Sequence, residues 1–160
     1  MVEFKTLSID EITDYFNGET TGIFYIGGNW CKHCESTIDL FESILDEKGV
    51  KEVYTLDPVY KNVFSEDEDF RDCKSLEIKL KYYLIIEKCG FKSDEFVPDT
   101  LIPRMHVPFY IGLKNGVCTK FYSIELEKKD NKLVKEGSDL DYTNEYKNNI
   151  IELIDSVYKK

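Results

Sequence analysis

Continuous runs of apolar residues alternate along the chain with segments in which apolar residues recur every three or four positions. A continuous run bounded by glycines or turn residues is typical of a strand buried on both faces. Residues 22–27 give the clearest such run. Further strands are predicted at residues 2–7, 53–56, 109–113 and 117–124, and the last two are joined by a tight turn at Asn115-Gly116.

Helical spacing predicts two helices in the first third of the chain. Ser8 and Glu11 form a capping-box pattern that begins a brief helix, and Gly18 ends it. The second helix begins at Cys31, soon after the clearest strand, and ends at Gly49. The chain therefore passes from a buried strand through a short turn into a helix.

The second half of the chain contains two more predicted helices. A long helix is predicted over residues 65–90, and the acidic residues 66–69 are interpreted as its solvated start rather than as a metal site. Residues 91–107 are predicted to be a loop or a broken helix. Residues 125–141 are either an extra hairpin or a solvated loop, and a C-terminal helix begins at Thr143.

This order of elements indicates an α/β fold. Strands and helices alternate at first, and a hairpin and a final helix follow, which is the arrangement of a mixed central sheet flanked by helices. With 160 residues, of which 42% are hydrophobic, the chain is long enough for one sizeable core and short for two. We therefore expect a single domain over residues 1–160.

The charge of the chain argues against two classes of partner. A formal net charge of -10 repels the phosphates of nucleic acids and the surface of anionic membranes. No segment approaches the roughly 20 apolar residues that span a bilayer. Residues 1–10 lack a basic region followed by an apolar stretch, so no secretory signal is predicted and the cytoplasm is the expected compartment, although a trimmed secreted protein would look the same.

Five cysteines at positions 31, 34, 73, 89 and 118 are too irregularly spaced to indicate a disulfide scaffold. Cys73 and Cys89 lie in the same predicted helix and would point to nearly opposite faces, so a disulfide between them is not expected. We expect these two residues and Cys118 to be packed in the core. Only Cys31 and Cys34 are close enough to form a motif.

The motif Trp30-Cys31-Lys32-His33-Cys34 lies where the buried strand passes into the helix. The unpaired amides and partial positive charge of a helix N-terminus stabilise a thiolate, which is the form that attacks a disulfide. We therefore predict Cys31 as the exposed nucleophile and Cys34, on nearly the same helix face, as the resolving thiol. Trp30, Lys32 and His33 are expected to tune the pKa of Cys31, the two basic residues by lowering it.

A zinc site is the chemical alternative for this motif, because His33 and the two thiols could act as ligands. A structural zinc needs four ligands, and His106 is the only other histidine. We therefore expect no metal. His106 could face the redox site and tune the thiolate, or it could be a surface loop residue, and Arg104 in the same loop is equally open.

These residues resemble the thioredoxin superfamily. The resemblance rests on the strand at residues 23–26, the Trp-Cys-x-x-Cys of residues 30–34 and the stretch at residues 107–116, which looks like the family's proline loop with the strand and hairpin after it. It implies that Pro108 is cis and packs against the cysteine pair. It also implies that the backbone of Val107 docks an extended substrate strand by β-pairing.

The chain departs from compact thioredoxins in length. The segment between Asp57 and Pro108 is much longer than theirs, so the resemblance implies a thioredoxin-like mixed central sheet with a helical insertion, at about residues 59–103, before the cis-proline loop. Such an insertion would shape substrate choice.

Two further departures concern the chemistry of the pair. Lys32-His33 replaces the Gly-Pro of thioredoxin itself, and a histidine before the second cysteine is more like the oxidase branch. Tyr25 stands where thioredoxin carries a buried acid. The group that deprotonates Cys34 is therefore open between a water, Lys32 and Glu35.

The function that follows is dithiol–disulfide exchange with protein or small-molecule disulfides, without a bound cofactor. In a reductase role, a partner reductase would supply the electrons. Lys32 and His33 favour a pair more oxidising than thioredoxin's. Two alternatives stay open: a redox-sensing or accessory protein that acts through a partner, for example in secretion or peptide export, and a non-catalytic binding module.

Overall fold

The computed structural model describes residues 1–159 and places a five-stranded sheet at the centre of the molecule. In chain order the elements are β1 (Glu3–Leu7), a 3-10 turn (Ile9–Glu11), α1 (Ile12–Asn17), β2 (Gly22–Ile26), α2 (Lys32–Glu47), β3 (Glu52–Leu56), β4 (Val59–Lys61), β5 (Asp67–Asp69), α3 (Leu76–Cys89), β6 (Phe109–Lys114), β7 (Val117–Ser123), β8 (Glu127–Lys129), β9 (Lys132–Val134) and α4 (Thr143–Tyr158).

The central sheet is mixed, with the strand order β1-β3-β2-β6-β7. Strand β3 pairs in parallel with β1 and β2, whereas β6 is antiparallel to both β2 and β7. Helix α1 packs on α3 and helix α2 packs on α4. The predicted α/β class, a mixed sheet flanked by helices, is therefore confirmed. In the part of the chain that the structure describes, no helix is both long and apolar enough to cross a membrane.

Strand β2 is at the middle of the sheet because all five of its residues are buried. Its neighbour β6 is buried over its first five residues, so both strands lack a solvent-facing side. The predicted turn after β6 is confirmed: Asn115 and Gly116 have φ values of 52° and 78°, as a tight two-residue hairpin turn requires. Residues 22–26 and 109–114 thus form the buried centre of the sheet, and the cysteine motif follows the first of these two strands.

A network of buried hydroxyl groups joins helices α2 and α4 to strand β6. The hydroxyl groups of Thr37 in α2 and Tyr110 in β6 are 3.2 Å apart, and those of Tyr110 and Tyr146 in α4 are 2.7 Å apart. All three side chains are fully buried. Because buried polar groups are costly unless they are paired, this network fixes how α2 sits on the sheet.

The long helix predicted over residues 65–90 is wrong in its first half. Helix α3 begins only at Leu76, after Ser75, whose hydroxyl accepts a hydrogen bond from the amide of Ile78 at 3.4 Å. The acidic residues predicted as a helix start lie instead in the hairpin of β4 and β5. The Asn62 side chain organises its turn by accepting from the amides of Phe64 and Glu66 at 2.9 and 3.1 Å.

Two other uncertain segments are resolved by the structure. Residues 91–107 form a loop, as one of the two alternatives predicted, with a single bridge between Phe96 and Pro103. The charged segment after β7 contains the extra hairpin, formed by β8 and β9. Its turn residues Asp130 and Asn131 adopt positive φ values of 51° and 63°, which these residue types tolerate better than most.

Candidate functional site

The two cysteines of the motif lie at the N-terminus of α2, as the sequence predicts. Cys31 caps the helix with an extended backbone, and its sulfur accepts a hydrogen bond from the Cys34 amide at 3.2 Å. The turn that carries them follows β2 directly, so the buried centre of the sheet fixes their position. The sulfur of Cys31 therefore meets the unpaired amides of a helix N-terminus.

The proline-bearing loop lies against this pair. The Cys31 sulfur is 3.7 Å from the carbonyl oxygen of Val107, although the two residues are 76 positions apart in sequence. The peptide bond between Val107 and Pro108 is cis, which confirms what the resemblance implies for that bond.

The environment separates the acidities of the two thiols. The pKa of Cys31 is lowered to about 6, chiefly by a hydrogen bond from the Cys34 side chain and further by the amides of Cys34 and His33 and by the charge of His33, while burial opposes the shift. The pKa of Cys34 is raised, first by its hydrogen bond to Cys31 and then by burial. Cys31 is therefore the thiolate of the pair at neutral pH and Cys34 stays protonated.

Cys31 was expected to be exposed, and this expectation is wrong. Only 6% of its surface is exposed, compared with 1% for Cys34. The reason is that loops from distant parts of the chain close around it. Cys31 nevertheless lines a cavity of about 310 Å³, and the walls of that cavity include Trp30, Arg104, His106 and Val107. A reactant would reach the sulfur through this cavity.

Trp30 and Lys32 are both tethered to acidic residues. The Trp30 indole nitrogen donates to Asp57 at 2.9 Å, and the Lys32 ammonium lies 2.6 Å from a carboxylate oxygen of Glu127 in β8. The positive charge of Lys32 is therefore largely balanced by Glu127. Of the two basic residues expected to tune Cys31, His33 is the one that contributes to its lowered pKa.

Glu125 brings the two histidines together beside the cysteines. One of its carboxylate oxygens is 3.3 Å from Nε2 of His33, and the other is 2.9 Å from Nδ1 of His106. Oxygen acceptors also face the remaining ring nitrogens, from the Leu126 carbonyl at 3.2 Å and from Glu95 at 3.5 Å. His106 thus lines the same cavity as Cys31 from a partly exposed position in the loop, and its tuning of the thiolate stays a prediction.

Two arginines complete the wall of the cavity. Arg71, which is 6% exposed, pairs with Asp69 at 2.7 Å and donates to the carbonyl oxygen of Met105 at 3.1 Å. Arg104 pairs with Asp72 at 2.8 Å. Sequence reasoning missed Arg71 because its position fell inside the incorrectly predicted helix.

Tyr25 is the side chain that reaches Cys34 from the sheet. Its hydroxyl group and the Cys34 sulfur both lie next to Gly27, and burial, followed by the proximity of Cys34, raises the pKa of Tyr25. Glu35 and Asp57 line a second cavity of about 610 Å³ that Cys34 also borders. Lys32 and Glu35 were the two side chains considered from the sequence as the group that deprotonates Cys34. Lys32 is bound to Glu127, whereas Glu35 lines the same cavity as Cys34.

Metal binding is not indicated by the geometry of the described residues. Within residues 1–159, no group of three or more His, Cys, Asp or Glu side chains is arranged to hold a metal ion. Two thiols, two histidines and a carboxylate are close to one another, but they interact as hydrogen-bond and ion pairs. The chemistry that this arrangement can perform is that of a thiolate with a nearby second thiol.

Comparison with known proteins adds nothing to this geometry: no protein-family model and no curated protein sequence matches the chain. The function is therefore argued from the residues and their positions.

Proposed function

We propose that this protein is a thiol–disulfide oxidoreductase with a thioredoxin-like fold, in which Cys31 and Cys34 are the catalytic pair. The observation that carries the proposal is the low-pKa Cys31 sulfur at the start of α2, 3.7 Å from the carbonyl oxygen that precedes cis-Pro108. A thiolate held this way attacks disulfides at neutral pH. No bound cofactor is needed for this exchange.

The reaction transfers two electrons from the cysteine pair to a substrate disulfide. The Cys31 thiolate attacks one substrate sulfur, the substrate disulfide breaks, and its second sulfur leaves as a thiolate that takes up a proton. Cys34 then loses its proton and attacks the Cys31 sulfur, which releases the remaining substrate thiolate and leaves a Cys31–Cys34 disulfide. Tyr25, whose hydroxyl group contacts Cys34, is placed to hydrogen-bond to the developing thiolate.

Several features support a thioredoxin-like assignment. The cysteine pair follows the central strand β2, and the cis-proline precedes the antiparallel strand β6 beside it. In this proposal, residues 59–103 are an insertion before the proline loop. Only part of that segment is helical, because it holds the β4–β5 hairpin as well as α3. It supplies Arg71 to the cavity, so it would influence which substrates reach Cys31.

The proposed substrates are proteins that contain a disulfide. An extended substrate segment would pair with the backbone at Val107, which would place its disulfide beside Cys31. A partner reductase would return electrons to the Cys31–Cys34 disulfide in a reductase role.

Reduction of insulin disulfides, with dithiothreitol as the electron source, tests the proposal. We expect the wild type to accelerate the reaction and Cys31→Ser to lose the acceleration. Cys73→Ser is the matched control because Cys73 is also buried but donates its hydrogen bonds to the carbonyl oxygens of Phe70 and Ser75. Equal rates for the wild type and Cys31→Ser would contradict the proposal. A wild type that forms the Cys31–Cys34 disulfide without turning over insulin would favour the redox-sensing alternative.

A further inference from the structure

A second pair of cysteines meets where α3 packs against β7. Cys89 is the last residue of α3 and Cys118 is the second residue of β7, and these two elements pack against each other. The two thiols lie close enough for each to be the first cause of the shift in the other's pKa, as is also the case for Cys31 and Cys34. The proposed exchange at Cys31 makes no use of them.

The two thiols are packed against the core but remain within reach of small molecules. Both residues are half-buried, and Val117 beside Cys118 is largely exposed. The pKa of Cys118 is lowered by its hydrogen bond with Cys89, by the Lys120 amide and by the charge of Lys88, while burial opposes this. The pKa of Cys89 is raised, first by its hydrogen bond with Cys118 and then by burial. One member of the pair is thus suited to attack and the other to resolve.

We propose that Cys89 and Cys118 form a second dithiol–disulfide site, which small-molecule disulfides such as oxidised glutathione convert to an intramolecular disulfide. The Cys118 thiolate attacks one sulfur of the small disulfide and expels the other half as a thiolate. Cys89 then loses its proton and attacks the Cys118 sulfur, which expels the second half. The protein loses two electrons and two protons, and the small disulfide becomes two thiols.

Oxidation of this pair would constrain one wall of the cavity at Cys31. The chain between Cys89 and Cys118 includes Arg104, His106 and Val107, which line that cavity. A Cys89–Cys118 disulfide would fasten both ends of this segment to each other. The site itself depends on neither Cys31 nor Cys34, so it can be tested with both replaced.

The test uses the full-length Cys31→Ser/Cys34→Ser protein, incubated with oxidised glutathione, alkylated and digested with trypsin. Cleavage after lysine places the two cysteines on separate short peptides, residues 89–92 and 115–120. We expect these peptides to be joined by a disulfide in most of the molecules and to separate on reduction. Wild-type protein treated in the same way shows whether the linked peptides also form when Cys31 and Cys34 are present.

The control variant Cys73→Ser should leave the linked peptide unchanged, whereas Cys118→Ser should abolish it. Four outcomes would overturn the proposal: both thiols alkylated as free groups, separate mixed disulfides with glutathione, a link that involves Cys73, or a link between two molecules. If Cys31→Ser no longer reduces insulin but still forms the 89–118 disulfide, disulfide formation at the second site does not depend on activity at the first.

Discussion

Cys31 and Cys34 carry the same side chain and differ in where the helix places it. Cys31 is outside the first turn of α2, where the amide of Cys34 points at its sulfur from 3.2 Å. Cys34 is inside the helix, nearly without exposed surface, and beside the Tyr25 hydroxyl. Helix position, together with the Cys34 side chain and the charge of His33, therefore makes Cys31 the more acidic of the two thiols. This difference is the basis on which we propose Cys31 as the nucleophile and Cys34 as the resolving thiol.

Alkylation kinetics test the lowered pKa of Cys31. The rate of its reaction with iodoacetamide should rise with a midpoint at about pH 6, well below that of an ordinary cysteine. Cys34→Ala should raise this midpoint because it removes the largest cause of the shift, and Cys34→Ser should raise it less because a hydroxyl group can still donate. An ordinary midpoint in the wild type would contradict the assignment of Cys31 as the thiolate.

The contribution of His33 can be separated from that of Lys32. His33→Gln should raise the Cys31 midpoint, but by less than Cys34→Ala, because the charge of His33 is a smaller cause of the shift. Lys32→Gln is the control, and it should have little effect because Glu127 already binds the Lys32 ammonium. A larger shift for Lys32→Gln than for His33→Gln would show that the cationic influence has been assigned to the wrong residue.

At the scale of secondary-structure elements, the sequence correctly predicted those strands and helices whose formation depends on residues close to one another in the chain. The apolar run of β2 and the helical spacing of α2 depend on adjacent positions, and both elements form where predicted. The β4–β5 hairpin was missed because Phe70, Cys73 and Leu76 continue a helical rhythm by coincidence. Its turn is set by side-chain contacts of Asn62, which apolar periodicity does not contain.

Helix α3 anchors the loop that leads to Val107. The buried hydroxyl group of Tyr82 donates to the carbonyl oxygen of Pro103 at 2.6 Å and accepts from the amide of Met105 at 2.7 Å. Met105 in turn holds Arg71 through its own carbonyl oxygen. The Tyr82 hydroxyl group therefore helps to hold in place the loop that forms one wall of the cavity at Cys31.

Tyr82→Phe should destabilise the reduced protein by about 1 to 3 kcal/mol, because the Met105 amide loses its partner in a buried place. Insulin reduction should also slow, since Val107 follows in the same loop. Urea unfolding gives the free energy of unfolding, with Tyr83→Phe as the control because Tyr83 is adjacent and 41% exposed. Equal losses in both variants would argue against the anchoring role of Tyr82.

The whole molecule builds the cavity from segments that are far apart in sequence. The turn after β2, the segment at Arg71, the loop with His106 and the residue Glu125 after β7 all contribute to it. The cysteine pair and the proline could be recognised from the sequence because each is a compact motif. The burial of Cys31 and the meeting of Cys89 with Cys118 depend on tertiary packing, so the sequence did not predict them.

A disulfide between Cys89 and Cys118 would also change the stability of the whole molecule. It closes a loop of about 30 residues, for which the loss of unfolded-state entropy corresponds to about 3 to 4 kcal/mol. In the Cys31→Ser/Cys34→Ser protein, guanidinium unfolding should have a higher midpoint after oxidation than before it. The same treatment of a protein that also carries Cys118→Ser should leave the midpoint unchanged, and an equal shift there would contradict the expected link.

The reduction potential of the Cys31–Cys34 pair tests the central claim most directly. Wild-type protein is equilibrated in glutathione buffers of graded ratio, quenched by alkylation and read by peptide mass, so that each cysteine is followed separately. We predict one reversible two-electron transition shared by Cys31 and Cys34, at a potential more oxidising than thioredoxin's value of about -270 mV, because the Cys31 thiolate is stabilised. A potential at or below that value would contradict the account of the thiolate. The absence of any reversible transition at these two cysteines would contradict the redox function itself.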